Sequence, residues 1–201
     1  MSLKAWEYYD SFGENYFERY ESLAFSRTHR AFLTYLPKRK GSCCLDVGAG
    51  SGRDAAALAR RGYKVTAVEP SLKMRQFAKM RHPGLGIHWV DDHLPRLLKV
   101  KEEGGRFDFI LLSAVWMHIA PHDRVPAMTT LRELLSSGGY IGMTLRLGPV
   151  AADREMFPVS DAEIAELAEA CRLQIVFKSR SNRDSLSRND VKWKKVVLTS
   201  S

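Results

Sequence analysis

The chain alternates between short continuous runs of apolar residues and longer stretches in which apolar residues recur every three or four positions. A continuous run is typical of a strand that is buried on both faces, and the spaced pattern is typical of an amphipathic helix. In the best-defined helix, the apolar positions 125, 128, 131 and 135 share one face, and Gly138-Gly139 is expected to end it. The predicted strands are 42–47, 64–69, 86–90, 107–115, 140–145, 173–178 and 191–198.

Helices separate most of these strands, which predicts a doubly wound α/β fold with a mostly parallel sheet and helices on both faces. Right-handed crossovers then place the carboxyl ends of the parallel strands along one edge of the sheet. At 201 residues the chain fits a single domain over 1–201, with a helical cap at 1–36 and the sheet core at 42–200. Within the cap, four aromatic residues recur at helical spacing: Tyr9, Phe12, Tyr16 and Tyr20.

A glycine-rich turn follows the first predicted strand, in the sequence LDVGAGSGRD, and Glu69 closes the second strand. In an open α/β sheet this arrangement holds a nucleoside-containing cofactor at the carboxyl ends of the strands. A dinucleotide fingerprint would need a third small residue where the chain has Arg53. Asp46 would face a pyrophosphate badly, but it suits a ligand with sulfonium and ammonium groups. The turn therefore favours S-adenosylmethionine over NAD, and a nicotinamide oxidoreductase is disfavoured.

Five segments of the chain resemble the class I S-adenosylmethionine-dependent methyltransferases over roughly residues 8–198. They are LDVGAGSGRD, VTAVEPS, the Trp89-Val90-Asp91-Asp92 segment, FDFILLSAVWMHI and LLSSGGYIGMTLR. The first two are specific, whereas the last two also fit other buried strands. The resemblance implies a Rossmann-like core of seven strands in the order 3-2-1-4-5-7-6, with the seventh strand antiparallel. It also implies S-adenosylmethionine as the cofactor and S-adenosylhomocysteine as the product.

On this interpretation, the backbone of the glycine turn approaches the cofactor, with Asp46 near its methionine part and Glu69 at the ribose hydroxyls. The resemblance implies that an acid after the third strand receives the adenine amino group; Asp91 and Asp92 both match, and each also fits a helix N-cap. The aromatic stripe fits either helix core or a lid over the cofactor. The residues predicted to bind the cofactor are Tyr16, Tyr20, Asp46, Gly48, Ala49, Gly50, Gly52, Arg53, Glu69, Pro70, Ser71, Met74, Asp91, Asp92, Ser113, Ala114 and Val115.

The transferable methyl group is expected beside the residues after the fourth strand. There the chain has SAVW instead of the Asn-Pro-Pro-Tyr-like motif of amino-methylating relatives. His118 is the candidate general base, although it also fits a packed histidine. No metal is expected, because Pro121 interrupts the spacing of His118 and His122 and no second ligand cluster follows. The residues predicted to contact the acceptor are Trp116, Arg146, Arg183 and Arg188. The arginines suit a carboxylate or phosphate, or are plain surface residues.

Charge is unevenly distributed along the chain, whose net charge is +8. Residues 178–195 have seven basic and two acidic side chains, a net of +5, and residues 1–25 have two basic and five acidic ones, a net of −3. The basic end fits either a solvated face or a surface for an anionic substrate or nucleic acid. The chain has three cysteines, no signal-peptide pattern and no apolar run near the ~20 residues of a membrane span, which predicts a reduced, cytoplasmic protein without membrane contact.

Together these features predict a methyltransferase that transfers a methyl group to O, N or S of a small acceptor, for which an anionic molecule is one candidate. A monomer or homodimer is expected, and nucleic acid is a less favoured partner. Two alternatives stay open. One is an RNA or protein methyltransferase that uses the basic C-terminal edge, which predicts salt-dependent binding. The other is a non-catalytic module that binds the cofactor.

Overall fold

One sheet runs through the computed structural model, which describes residues 4–12, 14–183 and 190–200. Its strands within these residues are β1 (Cys43–Val47), β2 (Lys64–Val68), β3 (His88–Val90), β4 (Phe107–Leu112), β5 (Leu135–Leu147), β6 (Leu173–Lys178), β7 (Asn182–Arg183) and β8 (Lys192–Ser200). They stand in the order β3-β2-β1-β4-β5-β8-β6, and the two-residue β7 pairs with β8.

The five strands β1 to β5 pair in parallel, whereas β8 is antiparallel to both β5 and β6. If β7 is not counted, the order is 3-2-1-4-5-7-6 with an antiparallel seventh strand. The predicted fold class is therefore confirmed. Because the parallel strands share one direction, their carboxyl ends meet at one edge of the sheet, and the glycine turn after β1 lies at that edge.

The helices between the strands are α4 (Arg53–Arg60), α5 (Leu72–Arg81), α6 (Leu98–Glu102), α7 (Arg124–Leu134) and α8 (Asp161–Ala170). Successive residues of a strand face opposite sides of the sheet, and they enter two separate apolar cores. Leu45 and Ile110 join the core that contains Leu131 of α7, whereas Cys44 joins the core that contains Leu58 of α4. Helices thus cover both faces, as predicted.

The N-terminal region is more broken than the one or two helices predicted for residues 6–36. It consists of α1 (Ala5–Phe12), α2 (Glu14–Glu21), the single turn α3 (Phe25–Thr28) and a 3-10 helix over Arg30–Tyr35. Phe25 and Phe32 are buried against the sheet core, so the later part of this region packs as core. The earlier part, α1 and α2, is the helical cap discussed below.

Two predicted element boundaries were wrong. Helix α7 ends at Leu134 rather than at the glycine pair, because Leu135 already pairs with Phe107 of the parallel strand β4. Strand β4 ends at Leu112 rather than at residue 115, because Ala114 adopts a φ of +61° and turns the chain into a 3-10 helix over Trp116–His118. Both segments stay apolar across the point where the helix or strand ends, so the sequence pattern does not show where the conformation changes.

None of the helices in the described ranges combines the length and the apolar character that crossing a membrane requires.

Candidate cofactor and acceptor site

A cavity of about 320 Å³ opens at the edge where the parallel strands end. Its walls include the glycine turn after β1, Glu69 after β2, Asp92 after β3 and the segment 113–115 after β4. The cap covers it, and Tyr9, Tyr16 and Tyr20 line it from above the sheet edge. The cavity therefore joins strand ends and cap in one site, and it includes most of the residues that the sequence predicts to bind the cofactor.

The glycine turn is packed closely against the loop after β4. Gly48 has a φ of +68°, and a Cβ atom at this position would lie 2.6 Å from Cγ2 of Val115. The backbone N–H of Gly50 donates a hydrogen bond to Oε2 of Glu69 at 2.8 Å. This turn exposes backbone rather than side chains to the cavity, which lets a ligand approach it closely.

Asp46, the fourth residue of β1, places a buried carboxylate in the cavity wall. The residue is 1% exposed, and neither carboxylate oxygen has a well-formed hydrogen bond among the described residues, the backbone N–H of Ala55 being only a weak contact. Burial, reinforced by the nearby charge of Asp54, raises the pKa of Asp46 well above its usual range, although Arg53 and the backbone N–H of Ala55 act in the opposite direction. Buried carboxylates are normally paired or hydrogen-bonded. The geometry therefore fits a cationic ligand that completes this site.

Glu69 presents a second buried carboxylate at the end of β2. Its Oε1 accepts a hydrogen bond from the backbone N–H of Ser71 at 2.8 Å, and Gly50 binds the other oxygen. Burial raises the pKa of Glu69 to about 7, although these two hydrogen bonds lower it. A carboxylate has about four acceptor positions. Two backbone donors therefore orient Glu69 and leave acceptor capacity for ligand hydroxyls.

The structure separates the roles of Asp91 and Asp92, which the sequence leaves open. Asp91 is exposed, pairs with Arg75 at 3.0 Å and does not line the cavity. Asp92 is buried and lines the cavity. Its carboxylate accepts hydrogen bonds from three backbone N–H groups, those of His93, Lys99 and Val100. Asp92 therefore holds the loop before α6 together while it faces the site, and Asp91 belongs to an ion pair outside it.

Ser71 and Gly52 also lie outside the cavity lining, contrary to the prediction that both bind the cofactor. The hydroxyl of Ser71 accepts a hydrogen bond from the N–H of Met74 and so caps α5. Gly52 has a φ of +80° at the start of α4, and a Cβ there would lie 2.8 Å from Trp89 and 3.0 Å from Ala78. Ser71 and Gly52 therefore support the elements that form the cavity wall without lining the cavity, whereas Met74 lines it.

Several hydrogen bonds fasten the cap to the side of the cavity that holds Glu69 and the glycine turn, among them the following four. Asp10 of α1 accepts from the hydroxyl of Ser71 at 2.7 Å and from the N–H of Lys73 at 3.1 Å. Glu21 of α2 accepts from the hydroxyl of Ser51 at 2.6 Å. The guanidinium of Arg53 donates to the backbone carbonyl of Tyr20 at 3.2 Å. Arg53 therefore lines the cavity and also anchors the cap.

A buried network that the sequence analysis missed lies beneath Arg53. His29 is fully buried, and its Nε2 lies 2.9 Å from Oδ2 of Asp54. Arg53 pairs with the same carboxylate at 2.7 Å. Burial raises the pKa of Asp54, but His29 and Arg53 outweigh it and hold the pKa well below its usual range. Asp54 stays ionised and keeps Arg53 in place under the cap.

His118 lines the part of the cavity beyond β4. Its Nδ1–H donates to the backbone carbonyl of Glu155 at 2.9 Å, because a carbonyl can only accept. In the neutral tautomer, Nε2 then carries the lone pair. Burial, together with the charges of Arg154 and Arg146, lowers the pKa of His118 to about 4, although the hydrogen bond to Glu155 opposes this. At neutral pH His118 is therefore an uncharged proton acceptor.

The structure places the other residues that were predicted to contact the acceptor in different surroundings. Trp116 is fully buried in the apolar core and does not line the cavity, so its predicted contact with the acceptor was wrong. The 3-10 helix turns its side chain inward. Arg146 does line the cavity. Arg183 lies in β7 with its side chain outside the described part of the structure, and Arg188 lies outside the described residues altogether.

Arg154 and Lys195 are among the residues on this side of the cavity that could not be predicted from the sequence, and Trp193 lies beside them. Arg154 belongs to the irregular segment between β5 and α8, where no periodic pattern points to a site. Trp193 and Lys195 pair with Arg146 and Thr144 across the antiparallel β5–β8 ladder. Only the register of that ladder shows that these side chains share the cavity.

Residues 45–143 match the family described as "Methyltransferase domain". This stretch contains the glycine turn, the acids Asp46, Glu69 and Asp92, the last three residues of β1, and β2 to β4. The chain therefore contains a methyltransferase domain over 99 of its 201 residues, and its fold is that of the class I S-adenosylmethionine-dependent methyltransferases. S-adenosylmethionine is accordingly its cofactor.

Three relatives illustrate how far the similarity extends. An "Uncharacterized methyltransferase" of Alkaliphilus oremlandii is 30% identical over 125 residues, which cover 62% of this chain and 53% of that protein. An S-adenosylmethionine-dependent methyltransferase of Leishmania major has a TM-score of 0.76 at 20% identity and covers 98% of this chain and 82% of its own. Magnesium protoporphyrin IX methyltransferase of Synechocystis, with bound S-adenosylhomocysteine, has a TM-score of 0.75 at 16% identity and covers 97% of each chain. The chain spans about half the length of the curated relatives it matches.

The observed geometry fits this cofactor of the methyltransferase family. The unpaired carboxylate of Asp46 suits the cationic methionine part, since burial makes its charge pairing strong. Glu69 has acceptor positions for ribose hydroxyls. Met74 and Pro70 supply apolar surface beside them. We therefore assign these four residues to cofactor binding as a proposal that the measurements below test.

Cofactor binding is expected to depend on pH through Glu69. Its pKa of about 7 means that the carboxyl is protonated below neutrality in the unliganded protein, and it then loses acceptor capacity. We expect the affinity for S-adenosylhomocysteine to fall below pH 7, by up to about tenfold per pH unit, and to level off above it. Calorimetric titration between pH 5.5 and 8.5 measures this, and Glu69→Gln removes the inflection near pH 7.

The same shift predicts how the stability of the unliganded protein changes with pH. Because the folded pKa of Glu69 lies above its ordinary value of 4.5, the contribution of Glu69 is most favourable below pH 4.5 and is lost as the pH rises to about 7. Glu69→Gln should therefore gain thermal stability relative to the wild type as the pH increases over this range.

The affinity prediction has its own contradicting result. If the affinity of the wild type for S-adenosylhomocysteine is constant from pH 5.5 to 8.5, Glu69 does not act on cofactor binding through its charge.

Proposed function

We propose that the chain transfers a methyl group from S-adenosylmethionine to an oxygen, nitrogen or sulfur atom of a small molecule. One observation supports this proposal: Asp46 and Glu69, which we assign to the cofactor, line the same cavity as His118, the candidate proton acceptor. The cofactor supplies a methyl group on a sulfonium, which leaves readily when a nucleophile attacks. The protein's task is therefore to position the two reactants and to exclude water.

The cap supports a small acceptor rather than a polymer. Tyr9, Tyr16 and Tyr20 line the cavity from the cap, and the cap is hydrogen-bonded to α5 and to the glycine turn. The cap thus narrows the access of water to the cavity and leaves space for a compact molecule. Lys178 and Arg180 of the basic C-terminal edge are exposed outside the cavity, whereas Lys195 of the same edge lines it, so the transfer experiment below decides between a small acceptor and a polymer.

His118 supports an acceptor that gives up a proton. Its neutral imidazole can accept that proton at Nε2, while the hydrogen bond from Nδ1 to Glu155 holds the ring in orientation. Positioned general bases contribute about 10²–10⁴-fold to rates. With a pKa of about 4, His118 is a weak base, so its contribution belongs at the lower end of this range.

Replacing His118 by asparagine is expected to lower kcat by about 10²-fold for an acceptor that carries its proton at neutral pH, because proton acceptance is lost. The affinity for S-adenosylhomocysteine should not change. Steady-state kinetics and calorimetry measure the two effects. His122→Asn is the matched control, since His122 is 82% exposed and does not line the cavity. Equal kcat values for His118→Asn and wild type would remove His118 from the mechanism.

The proposed function is tested by transfer of a labelled methyl group. The protein is incubated with methyl-labelled S-adenosylmethionine and a panel of carboxylic acids, phenols, amines and thiols, and the labelled products are separated. We expect label in at least one small acceptor and none with Asp46→Asn. Cofactor binding without transfer to any small acceptor would contradict the proposal. Transfer only to added RNA or protein would replace it with the polymer alternative, and no transfer at all would favour the non-catalytic module.

A further inference from the structure

Charged residues divide the cavity into two halves. The acids Asp46, Glu69 and Asp92 lie at the ends of β1, β2 and β3, which form one side of the sheet order. The cations Arg146 and Lys195 lie on β5 and β8, on the other side of β4. Three further arginines line the cavity: Arg53 on the acidic side is paired with Asp54, and Arg19 and Arg27 enter from the N-terminal helices. The acidic half suits the cationic cofactor. The basic half is then available to a ligand of opposite charge.

Arg154 lies in the basic half inside a cage of tyrosine rings from the cap. Its guanidinium carbon lies 4.9 Å from the ring centre of Tyr8 and 5.8 Å from the ring centres of Tyr9 and Tyr16. The hydroxyls of Tyr8 and Tyr16 are 2.8 Å apart, which ties two walls of the cage together. Arg154 thus connects the cap to the segment between β5 and α8.

The guanidinium of Arg154 is buried without a full set of hydrogen bonds. The residue is 9% exposed, and its Nη1 contacts both carboxylate oxygens of Asp153 at 3.1 Å. Its Nε has no hydrogen-bond partner among the residues that the structure describes. Ring faces stabilise a cation but accept no conventional hydrogen bond, whereas a guanidinium has five N–H donors. The cage therefore holds the charge in place and leaves donors for a ligand.

The surroundings of Arg154 indicate which ligand fits. Met117, Ile119 and Met156 give this half of the cavity an apolar lining. His118 is uncharged at neutral pH and so does not add a competing charge. A planar guanidinium binds carboxylate and phosphate groups through paired hydrogen bonds. An acceptor with an apolar body and one such anionic group complements both features.

We propose that Arg154 and its tyrosine cage form the binding site for the carboxylate or phosphate group of the acceptor. This inference rests on the proposed function, because it assigns the second half of the same cavity. The cage tyrosines belong to the cap, so the anion site is complete only when the cap covers the cavity. Arg154 thereby selects anionic acceptors and links acceptor binding to the closed cap.

The test uses the wild-type protein loaded with S-adenosylhomocysteine, whose binding is established first by calorimetry. Benzoate, phenyl phosphate and the neutral analogue benzamide are then titrated by ligand-observed NMR. We expect at least one of the two anions to bind about tenfold or more tightly than benzamide, as a charge-assisted hydrogen-bonded pair predicts. Comparing the two anions shows whether the site prefers a carboxylate or a phosphate. Arg154→Gln should abolish the preference and leave benzamide and S-adenosylhomocysteine binding unchanged.

Two further variants keep the test decisive. Arg154→Lys retains the charge but not the planar fork, so it should fold and show a reduced preference. Arg81→Gln removes the same charge from an exposed position in the last turn of α5 and should retain the full preference.

Three results would overturn the inference: equal binding of benzamide and both anions by the wild type, no anion binding, or a preference for the anion that survives in Arg154→Gln. A joint loss of S-adenosylhomocysteine binding in Arg154→Gln would also overturn it, as Arg154 would then only support the cap. Failure of the wild type to bind S-adenosylhomocysteine would instead count against the proposed function.

Discussion

Replacing Asp46 by asparagine is expected to stabilise the unliganded protein and to abolish its binding of S-adenosylhomocysteine. The carboxylate is buried, and neither oxygen has a well-formed hydrogen bond among the described residues. A neutral amide of the same shape is less costly to bury than a charge, which predicts a gain of about 1–2 kcal/mol, or about 2–8 °C in Tm, at pH 8. The variant has no charge to pair with the ligand's ammonium group, so we expect affinity to fall by about 100-fold or more.

Asp92→Asn is the matched control for this experiment. Asp92 is also a buried carboxylate in the cavity wall, but its oxygens accept three backbone hydrogen bonds. An amide nitrogen cannot accept them, so this variant should lose about 1–3 kcal/mol of stability. Differential scanning calorimetry without ligand measures the two opposite changes. If Asp46→Asn proved as destabilising as Asp92→Asn, Asp46 would be a structural residue, and the assignment of its carboxylate to the cofactor would fail.

Replacing Gly52 by alanine is expected to destabilise the protein by about 2–5 kcal/mol without altering the cofactor affinity of the folded form. Two costs combine: a left-handed backbone for an alanine, about 1–2 kcal/mol, and overpacking, about 1–3 kcal/mol. The new methyl group would lie 2.8 Å from Trp89, 3.0 Å from Ala78 and 3.2 Å from His82. Urea unfolding gives the free energy, and titration of the folded protein gives the affinity.

Gly84→Ala isolates the packing part of this effect. Gly84 has a φ of +73°, close to the +80° of Gly52, but no atom lies within 4 Å of the Cβ position. It should therefore lose only the backbone part, about 1–2 kcal/mol. Equal losses in the two variants would show that the contact with Trp89 relaxes freely. A selective loss of cofactor affinity in Gly52→Ala would restore the predicted contact between Gly52 and the cofactor.

The cofactor half of the site could be predicted from sequence because its residues follow one another locally. Asp46 and the glycine turn lie within one segment, and Glu69 ends the next strand. Parallel pairing brings such strand ends together whatever the details of packing. The sequence could not show which of Asp91 and Asp92 faces the cavity. Adjacent residues point in opposite directions, and nothing in the sequence shows which of the two directions leads to the cavity.

The half of the cavity proposed for the acceptor could be predicted only in part: the sequence pointed to His118 and Arg146, near the ends of β4 and β5, whereas long-range contacts bring in the other residues. Arg154 enters from an irregular segment, and the tyrosines that surround it come from α1 and α2. Lys195 reaches the cavity through its pairing with Thr144 in the antiparallel ladder. For Trp116 the cause is local. The sequence predicts that the strand continues to residue 115, which would bring Trp116 to the site, but the turn at Ala114 directs its side chain into the core. Charge pattern alone carries none of this information.

The measurement that tests the account most directly is a calorimetric titration of the wild-type protein with S-adenosylhomocysteine, beside NAD. We expect micromolar binding of S-adenosylhomocysteine and no binding of NAD, because the buried carboxylate of Asp46 pairs with an ammonium group and repels a pyrophosphate. Binding of NAD, or no binding of S-adenosylhomocysteine, would contradict the assignment of the glycine turn, Asp46 and Glu69, and with it the proposed function.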